Sequence, residues 1–420
     1  MEGGRMTEIG KAPEGWKIVR LEDVVEINKE SRDPAKETLN DRFLYIDIES
    51  IEGGTGVIKA AKELLGKDAP SRARRVVHQN NVIMSMVRPY LKAFALVPRG
   101  YNNQICSTGF AVLSCKNVIV PCYLLYTLFS KNVIDQCNKM MVGGQYPALN
   151  QSQVAKIEIP LPPLPEQRRI AEVLGTVDNA IQKVGGAIEK TKRLKKGLMQ
   201  RLLTKGIEHE RFKETEVGRV PEEWEVVQVG NITKEHKQGF YTAENYSEEG
   251  INLVRITDLQ NPEISYATMP KIKIDDGTFK QFKVDVGDFL IARSGAIGRY
   301  GVVKEPIPCI FGSYIIRFRF DNLRIDNLYF GKLFESNFIS NELRKITQGA
   351  TNKNINAQNI KKIKISLPPL PEQRRIAEIL SAVDKKLELE RRRKEKLERV
   401  KKGLMDELLT GRKRIKEKHI

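Results

Sequence analysis

Cysteine is sparse in this sequence and poorly placed for cross-links. The five cysteines (Cys106, Cys115, Cys122, Cys137 and Cys309) are odd in number, four lie in the first half, and none belongs to a Cys-x-x-Cys pair. Neither a disulfide framework nor a structural zinc site is expected, and these residues read as small core side chains in a reducing compartment. Long apolar runs are missing too. No stretch approaches the roughly 18 to 20 residues that cross a bilayer, and the opening MEGGRMTEIGK lacks an apolar signal core. A cytoplasmic protein without membrane attachment is expected. Histidine is scarce: His78, His209, His236 and His419 form no metal-like or base-like grouping.

Catalytic signatures are absent as well. There is no phosphate-cradling G-x-x-x-x-G-K-[ST] loop, no H-E-x-x-H and no G-x-S-x-G elbow. The [DNS]-P-P-[YFW] tetrapeptide that grips a flipped adenine in amino-methyltransferases does not occur, nor does a clear glycine-rich cofactor loop. Glu235-His236-Lys237 has the spacing of a nuclease E-x-K but no evident carboxylate partner, so it reads as a charged loop. A chain with no catalytic residues, no cofactor and no metal is expected, which disfavours a self-sufficient methyltransferase or nuclease.

Positive charge, by contrast, is plentiful. With 71 Lys and Arg against 53 Asp and Glu the net charge is +18, a field whose commonest partners are nucleic acid or anionic membrane. The 40% hydrophobic content suits a folded protein, and 420 residues exceed one ordinary core.

The organisation comes from an internal repeat. Leu161 to Glu172 reads LPPLPEQRRIAE, and the same twelve residues recur from Leu367 to Glu378, 206 positions later. KKGLMQRLLT from Lys195 and KKGLMDELLT from Lys401 keep that offset. PEGWKIVRL from Pro13 answers PEEWEVVQV from Pro221, which aligns the two tryptophans, Trp16 and Trp224. Gly143 to Asn150 (GGQYPALN) aligns with Gly349 to Asn356 (GATNKNIN), while the stretches between these anchors diverge. Two related globular units therefore share a frame and an attachment helix and differ where a binding domain carries specificity. A period near 200 residues means domain duplication and not a solenoid.

After each proline elbow the apolar residues fall at heptad spacing. The first seam is Ile170, Leu174, Val177, Ile181, Val184, Ile188, Leu198 and Leu202, interrupted by Thr191 and Lys195. The second is Ile376, Leu380, Val383, Leu387, Leu397, Leu404 and Leu408, interrupted by Glu390, Lys394 and Lys401. Pro165 and Pro371 suit a first helical turn, and Glu166 and Glu372 favour its positive dipole. Each helix of about 38 residues would be about 57 Å long. Because the second globular unit joins the end of one helix to the start of the other, the two are expected to pair antiparallel, with a globular head at each end related by a pseudo-two-fold axis.

Candidate strands in the first head are Phe43–Ile48, Asn81–Val87, Phe94–Val97 and Gly109–Leu113, followed by a helix over Cys122–Cys137. The second head gives Ile251–Ile256, Asp288–Ala292, Tyr300–Val303 and Tyr314–Phe320, then a helix over Asn327–Ile346. The expected fold class is α+β. The expected division is a first head at 1–158, elbow and first helix at 159–208, a second head at 209–364, and elbow and second helix at 365–420. Cations cluster at loop-like places: Arg72, Arg74 and Arg75; Arg88 and Lys92; Arg293 and Arg299; and Lys353. These are candidate phosphate or guanine contacts, to which Gln145, Tyr146 and Asn352 add groups able to meet base edges. Read singly, each cation is better explained as a solvated surface residue and the cluster carries the hypothesis, while Gln145, Tyr146 and Asn352 read equally as ordinary surface turns.

The domain, helix, domain, helix order and the LPPLPEQRRIA elbow at Leu161 to Ala171 and Leu367 to Ala377 closely resemble the specificity subunit of type I restriction-modification systems. GGQYPALN and GATNKNIN look like that family's segment before the elbow. The resemblance covers almost the whole chain. It implies two target-recognition domains, each reading half of an asymmetric, interrupted site in double-stranded DNA, with helices that set the gap and bind two methyltransferase (modification) subunits. Adenine methylation, and ATP-dependent cleavage by two endonuclease subunits, would then reside in partners. The other reading is a non-enzymatic coiled-coil scaffold with two protein-binding heads.

Overall fold

The computed structural model describes residues 13–141, 147–242, 246–347 and 354–415. The chain forms two compact units, Met1–Gly185 with Arg392–Ile420, and Gly186–Arg391. Each unit is one α+β body plus one end of each of two long helices, Leu164–Lys205 and Leu370–Leu408. The first helix, with 42 residues, is about 63 Å long.

The frame of the first unit is an antiparallel sheet in the order Val25–Ile27, Phe110–Cys115, Val82–Ser85, Phe94–Leu96. The second unit repeats it with Thr233–Gln238, Ile315–Phe320, Phe289–Ala292 and Tyr300–Val302. Central strands such as Val82–Ser85 and Phe289–Ala292 are apolar-rich and wholly buried because both of their faces are covered. A further sheet in each unit contains a parallel pair, Arg42–Ile46 with Gln104–Ser107 in one and Ile251–Val254 with Cys309–Phe311 in the other. The strand after the repeated tryptophan pairs with the strand that enters the elbow, Lys17–Arg20 with Glu158–Leu161 and Glu225–Gln228 with Lys364–Leu367.

Several elements differ from their sequence signals. The helix expected over Cys122–Cys137 is two, Pro121–Leu128 and Lys131–Met140, because Ser130 turns the chain and its hydroxyl accepts from the Val133 amide as an N-cap. The segment Asn327–Ile346 breaks likewise into Asn327–Phe334 and Asn337–Thr347. Arg74 and Arg75 lie not in a loop but on the strand Ala73–Val77, whose charged side chains mask its pattern. Glu235-His236-Lys237 is also strand, because cross-strand arginines compensate Glu235: Arg317 bonds to it directly and Arg319 at 3.1 Å.

The elbow explains why its residues recur. Gln167 is fully buried; its Oε1 accepts from the Val120 amide, and its Nε2 donates to the carbonyls of Val118 and Pro162. Gln373 repeats this with Asp326, Arg324 and Pro368. Each glutamine thereby clamps the start of a long helix to the start of the helix pair in its body. Beside it, the Trp16 indole donates to Glu166 at 3.0 Å and the Trp224 indole to Glu372 at 2.9 Å. Arg414 completes the first cluster and His209 the second.

The helices run antiparallel in each unit, pinned by a repeated ion pair. Asp178 near the start of the first helix meets Lys401 near the end of the second, and Asp384 meets Lys195, both at 2.6 Å. The lysines that sequence shows only as interruptions of the seam are thus interhelical partners. In the second unit Asp384 also accepts from Lys332, whose side chain is 1% exposed, at 2.6 Å. Burial alone would raise the Asp384 carboxyl, but Lys195 and Lys332 outweigh it and hold it below the ordinary carboxylate range. Asp384→Ala, which leaves the buried Lys332 ammonium with Glu335 at 3.5 Å as its remaining partner among the described residues, should cost about 3 kcal/mol, against about 1 kcal/mol for Asp178→Ala, whose partner is less enclosed. Because the folded value is depressed, this stabilisation is complete above the ordinary aspartate value near 4 and fades as pH falls through the lower one. Urea unfolding should show the gap between wild type and Asp384→Asn closing only below about pH 4; a gap constant down to pH 2 contradicts the assignment.

Candidate nucleic-acid interface

At one end of the antiparallel frame sheet of each unit the main chain makes the same two contacts. In the first unit the Met86 amide donates to the Gly109 carbonyl, and the Met86 carbonyl accepts from Leu149. In the second, Arg293 takes both bonds, with Tyr314 and Ile355. Met86 and Arg293 are therefore equivalent positions, as are Gly109 and Tyr314. The loop carrying Arg88 and Lys92 corresponds to the loop carrying Arg293 and Arg299. Leu149 and Ile355, which anchor the chain after the GGQYPA and GATNKN segments, sit against these loops. Gln145, Tyr146, Asn352 and Lys353 lie outside the described residues.

The candidate cations differ in availability. Arg72 and Arg299 are exposed. Arg74 is tied to Asp33 at 3.0 Å. The Arg75 guanidinium donates to the Phe110 carbonyl inside the fold, and burial pulls it below its ordinary value. Arg88 and Lys92 both adopt left-handed backbone, with φ of 48° and 55°, flanking the turn Pro89–Leu91. The Lys92 ammonium faces the Phe129 carbonyl at 3.2 Å. Arg293 is half-buried in a concavity of about 270 Å³ with Gln238, Tyr241, Ser313, Tyr314 and Asn354.

A second repeated feature escaped the sequence reading. Lys192, Lys195, Lys196, Met199, Gln200, Leu203 and Thr204 line a groove of about 430 Å³ against the junction at Glu335–Phe338. Their partners 206 positions on, Glu398, Lys401, Lys402, Met405, Asp406, Leu409 and Thr410, line a groove of about 720 Å³ against Phe129–Asn132. The offset itself was the available signal, since Asp178, Asp384 and both lysines fall on it. The seam residues have distinct settings: Ile170, Leu174, Leu404 and Leu408 join the first core, while Leu198, Leu202, Ile376 and Leu380 join the second. Val184, Ile188 and Leu387 are buried, whereas Val177, Ile181, Val383 and Leu397 are half-buried.

Two stretches, residues 13–191 and 221–399, match the model of the type I restriction modification DNA specificity domain. The chain belongs to that family. This specificity subunit is 29% identical over 417 residues to the type I restriction enzyme MjaVIII specificity subunit of Methanocaldococcus jannaschii, covering 97% of this chain and 95% of the relative. It also resembles a chain solved in work on complex assembly and conformational transition of the type I R-M system. That match has a TM-score of 0.58, 26% identity, and coverage of 95% of this chain and 98% of the other. The type I system S subunit from M. genitalium shares the fold at a TM-score of 0.59 with 14% identity, across 96% and 99% of the two chains. Its α+β bodies alternating with long paired helices are the arrangement expected from sequence, and its role is DNA target recognition. No helix among the described residues is long and apolar enough to cross a membrane.

The settings of the arginines separate two outcomes in this specificity subunit. Arg72→Ala should weaken DNA binding equally on all sequences and reduce the slope of log affinity against log salt by about one. Arg75→Ala should instead lower the melting temperature, because it leaves the Phe110 carbonyl without its donor. Titrations at several salt concentrations, alongside thermal melts, check both; a salt slope that moves for Arg75→Ala but not for Arg72→Ala contradicts the assignment.

Proposed function

We propose that each unit reads one half of a bipartite, interrupted target in double-stranded DNA, while the two helices set the gap and seat two methyltransferase subunits. The observation that carries this reading is one backbone frame bearing different chemistry. The position held by Met86 in one unit is Arg293 in the other, and Gly109 becomes Tyr314. Two readers built alike but equipped differently suit an asymmetric site. In this reading residues 1–158 and 209–364 are the target-recognition domains, and 159–208 and 365–420 are the connectors. Arg72, Arg88, Arg293, Arg299 and Lys353 supply the candidate DNA contacts, with Gln145, Tyr146 and Asn352 at base edges.

Catalysis then belongs to partners: methyltransferase subunits modify adenine, and two ATP-dependent endonuclease subunits cleave, in the cytoplasm. The duplicated groove supports two equal seats for modification subunits, because the same seven helix positions recur in each unit. Lys196 and Lys402 are exposed and line equivalent points. Lys196→Glu or Lys402→Glu alone should leave one modification subunit per chain in native mass spectrometry, and the double variant none, with DNA binding by the isolated chain retained. Two subunits still bound to the double variant would remove the grooves from the assembly.

Separable reading has its own test. Replacing the stretch from just after Trp224 to just before Leu367 with that of another specificity subunit should change one half-site and keep the other. Methylation mapping reads both, and simultaneous change of the two half-sites would overturn independent recognition.

A further inference from the structure

Large exposed aromatic side chains are unevenly placed in the second unit. Tyr241, Tyr246 and Tyr314 are 76%, 59% and 62% exposed, and all three border two adjoining concavities that share Ser313 and Tyr314. Every other tyrosine of that unit is buried or half-buried. Exposed phenol rings grouped around a hollow present flat apolar faces with hydroxyls at their tips, a surface suited to sugars and base edges.

The backbone there is held firmly. Gln238 ends an edge strand opposite Ile316, Arg293 follows Ala292, and Tyr314 precedes Ile315, which pairs with Ala292. Three neighbouring strand ends thus deliver Gln238, Arg293 and Tyr314 to one edge of the sheet. Gly239 permits the approach: a Cβ there would lie 2.1 Å from the Gly312 carbonyl oxygen. The Phe240 amide then donates to the Phe311 carbonyl, which places Tyr241 at the rim.

Within this hollow Arg293 is the informative residue. Its amide and carbonyl are both hydrogen-bonded, so its backbone is fixed, yet among the described residues its guanidinium has no hydrogen-bond or ion-pair partner. Arg255, beside the adjoining concavity, is different: it is held by Asp258 at 3.0 and 3.1 Å and by the Thr268 carbonyl. A half-buried arginine with a free fork, flanked by the amides of Gln238 and Asn354, is arranged to meet a planar pair of acceptors. In duplex DNA the O6 and N7 of guanine in the major groove are that pair. A phosphate also offers two oxygens to an arginine fork, but exposed Arg299 at the far end of the same loop is open to the DNA backbone, whereas Arg293 is half-buried in a hollow with amides on either side.

We infer that Arg293 reads a guanine in the half-site recognised by the second unit, with Tyr241 and Tyr314 packing beside that base pair. The inference rests on the reading of each unit as a half-site reader. In the first unit the equivalent positions are Met86 and Gly109, so no arginine fork stands at that point of the frame.

The test uses the assembled methyltransferase complex and duplexes in which each target position is replaced by the other three base pairs in turn. Wild type should prefer one G·C pair in the second unit's half-site. Arg293→Ala should lose about tenfold to a hundredfold in methylation of the cognate duplex and become indifferent at that one position, with the first unit's half-site unchanged. Arg293→Lys, which keeps the charge but not the fork, should lose the same discrimination while its salt slope stays at the wild-type value. Tyr314→Phe should retain the preference, and thermal melts should match wild type for all three variants. Equal weakening on every duplex with a shallower salt slope would make Arg293 a phosphate contact and overturn the inference. So would preferences unchanged throughout in Arg293→Ala. Failure of the half-site reading is seen separately, as wild-type complex without a two-part preference.

Discussion

The joint between each long helix and its α+β body is the constraint on which the specificity subunit depends. Gln167 and Gln373 are buried amides whose bonds all end on main-chain atoms. A buried amide left unpaired costs about 1 to 3 kcal/mol, so only glutamine at that place, with the Pro162 and Pro368 carbonyls beside it, closes the joint. Because those bonds reach backbone, they specify the path of the chain and not the identity of the neighbouring side chains. The body can then change almost every surface residue without altering how it sits on its helix.

How far that freedom extends is seen inside the sheets. The turn before one strand is closed by Asn81 accepting from the His78 amide in the first unit, and by Asp288 accepting from the Asp285 amide in the second. Asn81 then bonds to Ser114, whereas Asp288 bonds to Arg319 at 2.8 Å and faces buried Arg317 at 3.7 Å. Arg317 and Arg319 gather Glu235, Asp285 and Asp288 around them, and they hold the Glu235 carboxyl below its ordinary range although burial alone would raise it. A polar pair in one body and an ionic network in the other satisfy the same backbone turn. The network is costlier to desolvate and is tolerated because each charge has a partner.

Much of this was legible in the sequence, and the reason is periodicity. A twelve-residue identity, aligned tryptophans and two matching heptad seams report units that must repeat because the packing repeats. What stayed hidden had no local signature. SRARRVV carries arginines on a strand, and Arg75 bonds to a carbonyl 35 positions away. Glu235 looks like a loop residue until the arginines of a strand about 80 positions later are placed opposite it. The hollow around Arg293 draws on segments near residues 240, 293, 314 and 354, whose proximity is a property of the sheet edge and not of any contiguous motif.

Net charge illustrates the same limit at larger scale. The +18 excess correctly points to a polyanion, because a long-range field is a sum that ignores how each cation is held. It does not find the contact face. Arg74, Arg75, Lys195, Lys332, Lys401 and Arg414 are all bound to acceptors within their own units. Such a cation still contributes to the field that attracts DNA, but taking a phosphate would mean breaking an internal bond of similar strength. On the proposed reading, recruitment and reading fall to different residues: the first to the whole basic surface, the second to the few side chains whose donors are not spent inside the fold.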